Sequence, residues 1–119
     1  MRTLHHGPEF AERWFQMSLV EQLGNVGGEV SRTLNWRNRN EGLSQRAMER
    51  ALELFDLTLD DPRHRRSPSR LREICRAREV LLDYIVGPNQ YGSTDASLRR
   101  YFDAFAAAAN RQRKVESGN

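Results

Sequence analysis

A chain of 119 residues with 19 Lys+Arg against 16 Asp+Glu carries a net charge of +3 and a sequence pI of about 9.6. That describes one mildly basic domain, long enough to bury a core without disulfides or metal. The single cysteine, Cys75, excludes an internal disulfide and a thiolate zinc cluster. No apolar run approaches the roughly 20 residues of a membrane span, and the N-terminus lacks a signal-type apolar segment. The expected compartment is therefore a reducing cytoplasm, with no membrane partner.

The apolar pattern is helical throughout, with no period-two alternation. Residues Met1 to Gly7 read as a disordered lead. Pro8 suits the first turn of a short helix carrying Phe10, Trp14 and Phe15. Met17 could serve as a start, which would make residues 1–16 an extension; its aromatics argue that it packs. Ser18-Leu-Val-Glu21 is a capping box. It opens a first main helix to about Trp36, with Leu19, Leu23, Val26, Val30 and Leu34 as one apolar stripe.

After a polar turn over Arg37 to Gly42, a second helix is expected from Ser44 as N-cap. Leu43 and Met48 would staple its start, and Ala47, Ala51, Leu52, Phe55 and Leu59 would face the core. Asp60-Asp61-Pro62 ends it, because the residue before proline is pushed out of helical geometry. An arginine-rich loop follows. A third helix opens at Ser67-Pro68 or Ser69, with Leu71, Ile74, Cys75, Leu81, Leu82 and Ile85 on its apolar face, and stops at Gly87-Pro88. Ser93 or Thr94 caps a fourth helix bearing Leu98, Tyr101, Phe102, Phe105 and Ala109, and the tail from Arg111 is expected to fray. The predicted fold is all-α: an up-down antiparallel four-helix bundle over residues 17–110, with a short extra N-terminal helix in 1–16 and a polar tail over 111–119.

Arginine supplies 18 of the 19 basic residues, and Lys114 is the only lysine. A GC-rich coding composition would raise arginine everywhere, yet it does not explain seven arginines between Arg63 and Arg78. Clustered guanidinium groups suit phosphate contacts, so Arg63, Arg65, Arg66, Arg70, Arg72 and Arg76 are candidate nucleic-acid ligands. The bland alternative is a solvated loop and polar helix face, with Arg76 paired to Glu79. The cluster contains no aromatic residue, which argues against base readout. Short connections would put this cluster at one end of the bundle with Arg111, Arg113 and Lys114.

Gly24, Gly27 and Gly28 sit inside the first main helix, where each glycine costs about 1 kcal/mol relative to alanine. Close approach of another helix, within the chain or in a second copy, is the expected compensation; a kink or break at Gly27-Gly28 is the alternative. The spacing is not a dinucleotide fingerprint. Glu49, Glu53, Asp56 and Asp60 recur at helical spacing, but no Glu-x-x-His accompanies them, so they read as a solvated face and no metal or cofactor is expected. His5, His6 and His64 are expected outside the bundle interior. Cys75 reads as a small core residue rather than a nucleophile. No catalytic constellation stands out: His64 with Ser67 or Ser69 lacks a third orienting group. Tyr91-Gly-Ser-Thr-Asp95 reads as a helix cap, since Asp95 would repel an anion.

Several stretches carry a resemblance: Leu23-Gly-Asn-Val-Gly-Gly-Glu-Val-Ser-Arg32, Arg50-Ala-Leu-Glu-Leu-Phe-Asp-Leu-Thr58, Arg78-Glu-Val-Leu-Leu-Asp-Tyr84 and Tyr91-Gly-Ser-Thr94. Together they resemble a group of small, uncharacterised prokaryotic all-helical proteins, over about Ser18 to Asn110, which implies no activity. HEPN-type RNases are similar in size, but their arginine-to-histidine motif has no match here. Accessory proteins of diversity-generating retroelements, which bind reverse transcriptase and RNA, are similar in size, charge and architecture without motif support. The leading expectation is a non-catalytic interaction or adaptor module with an unknown protein partner, able to self-associate, using Trp14, Phe15 and the glycine face. A nucleic-acid-binding accessory protein, RNA favoured, is the alternative. An RNA-cleaving enzyme comes third.

Overall fold

A computed structural model describes residues 7–118, and these form six α-helices with no strand among the described residues. They are α1 (Pro8–Trp14), α2 (Leu19–Trp36), α3 (Glu41–Leu59), α4 (Pro62–Arg65), α5 (Pro68–Ile85) and α6 (Asp95–Glu116). The expected disordered lead, with His5 and His6, lies almost wholly outside the described residues.

Local capping chemistry starts most of them. Ser18 and Glu21 form the reciprocal capping box of α2, and Thr94 and Ser97 do the same for α6. Ser67 caps α5 by accepting from the Arg70 amide. At α3 the expected cap is displaced. Asn40, not Ser44, is the N-cap, with its side chain accepting from the Leu43 amide at 3.1 Å. Ser44 lies inside the helix, buried, and donates to the Thr33 carbonyl at 2.9 Å. Both residue types cap well; the cross-helix acceptor decided between them. The arginine-rich loop also contains structure, since Asp61 caps the single turn α4 by accepting from the Arg63 amide. The expected fraying tail is helical through Glu116.

α2 is the central helix, with α3 on one side and α6 on the other. Both neighbours run antiparallel to it. Thr33 meets Ser44 near one end of the α2–α3 pair, and Gln22 meets Asp61 at the other. Ser18 bonds Gln112 at 2.8 Å and Asn35 accepts from Arg99 at 2.9 Å, fixing the register of α2 against α6. α5 packs on α3 and reaches α2.

The core joins Leu23, Val26, Val30 and Leu34 of α2 to Ala51, Leu54 and Phe55 of α3, Ile74, Ala77 and Leu81 of α5, and Leu98 and Phe102 of α6. The buried stripe of α5 runs through Ile74, Ala77 and Leu81, which turns Cys75 to solvent. The expectation of a buried cysteine is corrected accordingly.

The glycines of α2 divide by role. A Cβ on Gly27 would lie 2.9 Å from Phe102 Cβ, and one on Gly24 would lie 3.2 Å from the Ala106 backbone. These two permit close approach of α6 within the same chain. Gly28 faces open space, with nothing within 4 Å of an added Cβ, so no helix of the same chain packs against it. α2 continues unbroken from Leu19 to Trp36, which removes the alternative of a break at Gly27-Gly28.

α1 belongs to this core. Trp14 is 2% exposed and its Nε1 donates to Thr58 Oγ1 at 3.0 Å, while Phe10 stacks on it at 5.9 Å. The proposed contact point Trp14 is thus an internal residue, and Phe15 is half-buried against the same cluster.

Candidate nucleic-acid interface

The arginine-bearing end is built on a buried polar network. Pro62 terminates α3 and Asp61 caps α4, so the chain turns sharply and drives the Asp61 and His64 side chains inward; both residues are 0% exposed. Gln22 of α2 donates through Nε2 to the Trp14 carbonyl at 2.8 Å and to Asp61 Oδ2 at 3.0 Å. Its Oε1 lies 2.6 Å from His64 Nε2. With the amide nitrogen committed to two acceptors, Oε1 must accept, so His64 carries its proton on Nε2. His64 Nδ1 is buried without a partner. The expectation of a solvated His64 outside the interior is therefore overturned, and the ring is sealed from any substrate.

Arg63 closes the network. Its guanidinium donates to Asp61 Oδ1 at 3.1 Å and Oδ2 at 2.7 Å, and to the Met17 carbonyl at 2.5 Å. Burial pushes the Asp61 carboxyl up, but hydrogen bonds from the Arg63 side chain, Gln22 and the Arg63 amide outweigh it and bring it down from 3.8 to about 2. Burial lowers His64 from 6.5, aided by the charges of Arg63 and Arg70 and opposed by Asp61. Arg63, one of the six candidate phosphate ligands, is thereby committed to holding the turn.

The other five are exposed: Arg65, Arg66, Arg70, Arg72 and Arg76. Arg65 donates to the Leu59 carbonyl at 3.3 Å and Arg66 to the Pro62 carbonyl at 3.2 Å, which orients them without neutralising them. Among the described residues none of the five makes an ion pair. Arg78 instead lies 3.9 Å from Asp56. The contacts of Met17 with Arg63, and of Ser18 and Glu21 with Gln112 and Arg113, bring the start of α2, the arginine turn and the end of α6 together.

Arg76 does not pair with Glu79 as expected. Its guanidinium lies 5.6 Å from the centre of the Tyr91 ring, and Glu79 accepts from the Tyr91 hydroxyl at 3.1 Å. The connection between α5 and α6 folds back along α5 to produce this. Asp83 accepts from the Gln90 and Tyr91 amides at 2.8 and 3.0 Å. Asn89 bonds Ser93 through both its side-chain atoms and takes φ 57, and Gly92 takes φ +65, the left-handed region that asparagine and glycine tolerate. Tyr91, 47% exposed, is a functional candidate that a linear reading misses, because it stands fifteen positions from Arg76 in sequence.

The remaining features stay ordinary. Asp95 accepts from the Tyr84 hydroxyl, and Thr94 serves as a cap. Among the described residues no group of three or more His, Cys, Asp or Glu could hold a metal. No helix of the described residues is long and apolar enough to cross a membrane. No family model, curated protein or solved structure matches this chain.

Proposed function

We propose that the protein is a non-catalytic helical binding module that docks on nucleic acid through its arginine-bearing end, with its four long helices acting as an up-down antiparallel bundle. The observation that carries this reading is the exposure, without an ion pair among the described residues, of Arg65 and Arg66 on the turn that Asp61 and Arg63 tie down and of Arg70 and Arg72 at the start of α5. Unneutralised guanidinium groups that pair with phosphates displace the cations condensed on the nucleic acid, which makes binding favourable and salt-sensitive. Fluorescence anisotropy with labelled single-stranded RNA and duplex DNA, at low and physiological salt, tests it. Binding that survives physiological salt and is lost in Arg65→Ala/Arg66→Ala supports the reading; no binding at low salt sinks it.

A second reading, an adaptor that binds protein or itself, draws on a different observation. A cleft of ≈ 350 Å³ between α1, α2 and α3 is lined by Phe10, Trp14, Leu54 and Gly28. A glycine with nothing beside it leaves room for a partner's backbone. Sedimentation equilibrium tests this: concentration-dependent mass that Gly28→Leu abolishes supports it, and a monomer at all concentrations removes self-association.

A further inference from the structure

Tyr91 stands where the charge of α5 changes sign. Arg72, Arg76, Glu79 and Asp83 follow one another at spacings of four, three and four, so they share one exposed face. Its N-terminal half is basic and its C-terminal half acidic. The 86–94 connection occupies the acidic half: Asp83 accepts two of its amides and Glu79 accepts the Tyr91 hydroxyl. What remains open on this face is Arg72, Arg76 and the Tyr91 ring, leading back about 12 Å along the helix to the Arg65–Arg66 turn.

We infer that this face binds a single-stranded nucleic acid, with one base stacked on Tyr91 and its backbone tracking Arg76, Arg72 and the Arg65–Arg66 turn; this rests on the proposed docking of nucleic acid at the arginine-bearing end. Three features support it. Tyr91 is 47% exposed although it is anchored at its hydroxyl, its amide and its neighbour's amide, so it is held in place with little left to order on binding. The Arg76 guanidinium at 5.6 Å supports the ring from one side and stays near the phosphate path. A paired duplex cannot offer an unstacked base, whereas every base of a single strand has a face for an aromatic ring. The aromatic residue that the arginine cluster lacks in sequence is thus supplied in space.

The test compares a 12-nucleotide RNA, the same strand with abasic sites throughout, and a 12-base-pair duplex, by anisotropy with the full chain. The native protein should bind the base-bearing strand about tenfold more tightly than the abasic strand. Tyr91→Ala should erase that difference and leave affinity for the abasic strand unchanged, while Tyr91→Phe should retain it. Arg65→Ala/Arg66→Ala should weaken both strands. Equal binding of base-bearing and abasic strands by the native protein, or a Tyr91→Ala variant that still discriminates between them, overturns the stacking role and leaves phosphate docking standing. Failure of the native protein to bind any of the three overturns both.

Discussion

Asp61 accepts from Gln22, from the Arg63 amide and from the Arg63 guanidinium, all within a buried turn. Asp61→Ala would leave Gln22 and Arg63 without their acceptor, and removing one partner of such a pair should cost about 3 kcal/mol, read as a lower urea midpoint at pH 7. Two titrations then act in the same direction. His64 is lowered in the folded state, so the unfolded chain takes up the proton first and stability falls as pH drops below 6.5. Asp61 is lowered from 3.8 to about 2, so its contribution is complete above the upper value and is lost as pH falls towards the lower one. That loss is worth about 2 kcal/mol. Chemical denaturation from pH 7.5 to 2.5 should show a decline beginning near 6.5 and a second below 4, and His64→Gln should abolish the first.

Between helices, Gly27 and Gly28 of α2 should respond to substitution with opposite signs. Gly27→Ala places a methyl 2.9 Å from Phe102 Cβ and must push α6 away, at a cost of about 1–3 kcal/mol. Gly28→Ala meets open space and should gain up to about 1 kcal/mol of helix propensity. Thermal melts of the two variants measure this directly, and two shifts of the same sign would contradict the assigned interface. α1 is the other element with a measurable stake. Trp14→Ala should cost about 3–5 kcal/mol, as expected for a buried aromatic. Trp14→Phe should lose far less, because Thr58 keeps its bond to the Leu54 carbonyl. Each value follows from the denaturation midpoint.

At the scale of the molecule, a net charge of +3 understates the field at one end, where Glu73 is the one exposed acid within the Arg63–Arg78 stretch and several neighbouring acids are engaged elsewhere. Asp61 is buried, Asp56 lies by Arg78, and Glu79 and Asp83 hold the 86–94 connection. A single strand neutralised by four arginines should give a slope of log K on log salt near about −3. Each arginine removed should lower its magnitude by about 0.7. A flat salt dependence would mean that whatever affinity exists is not carried by these groups.

Helix starts governed by local bonds were legible in the amino-acid order: the Ser18–Glu21 box, Ser67 and Thr94 each need only a backbone amide within one turn. The apolar stripe of α2 was legible for the same reason, since its spacing repeats with the helix. Where two residues could do one job, as Asn40 and Ser44 could at α3, the carbonyl of Thr33 on another helix decided. Burial of His64 and exposure of Cys75 depend on how far a helix is rotated against its neighbours, which spacing alone leaves open over a turn. The arginine cluster was visible as composition. That Arg63 is tied to Asp61 while Arg65 and Arg66 bond only main-chain carbonyls, and that Tyr91 meets Arg76, are facts of chain reversal. Local order determined which segments are helices and which charges lie together; tertiary structure alone decided which of those charges face solvent and what stands beside them.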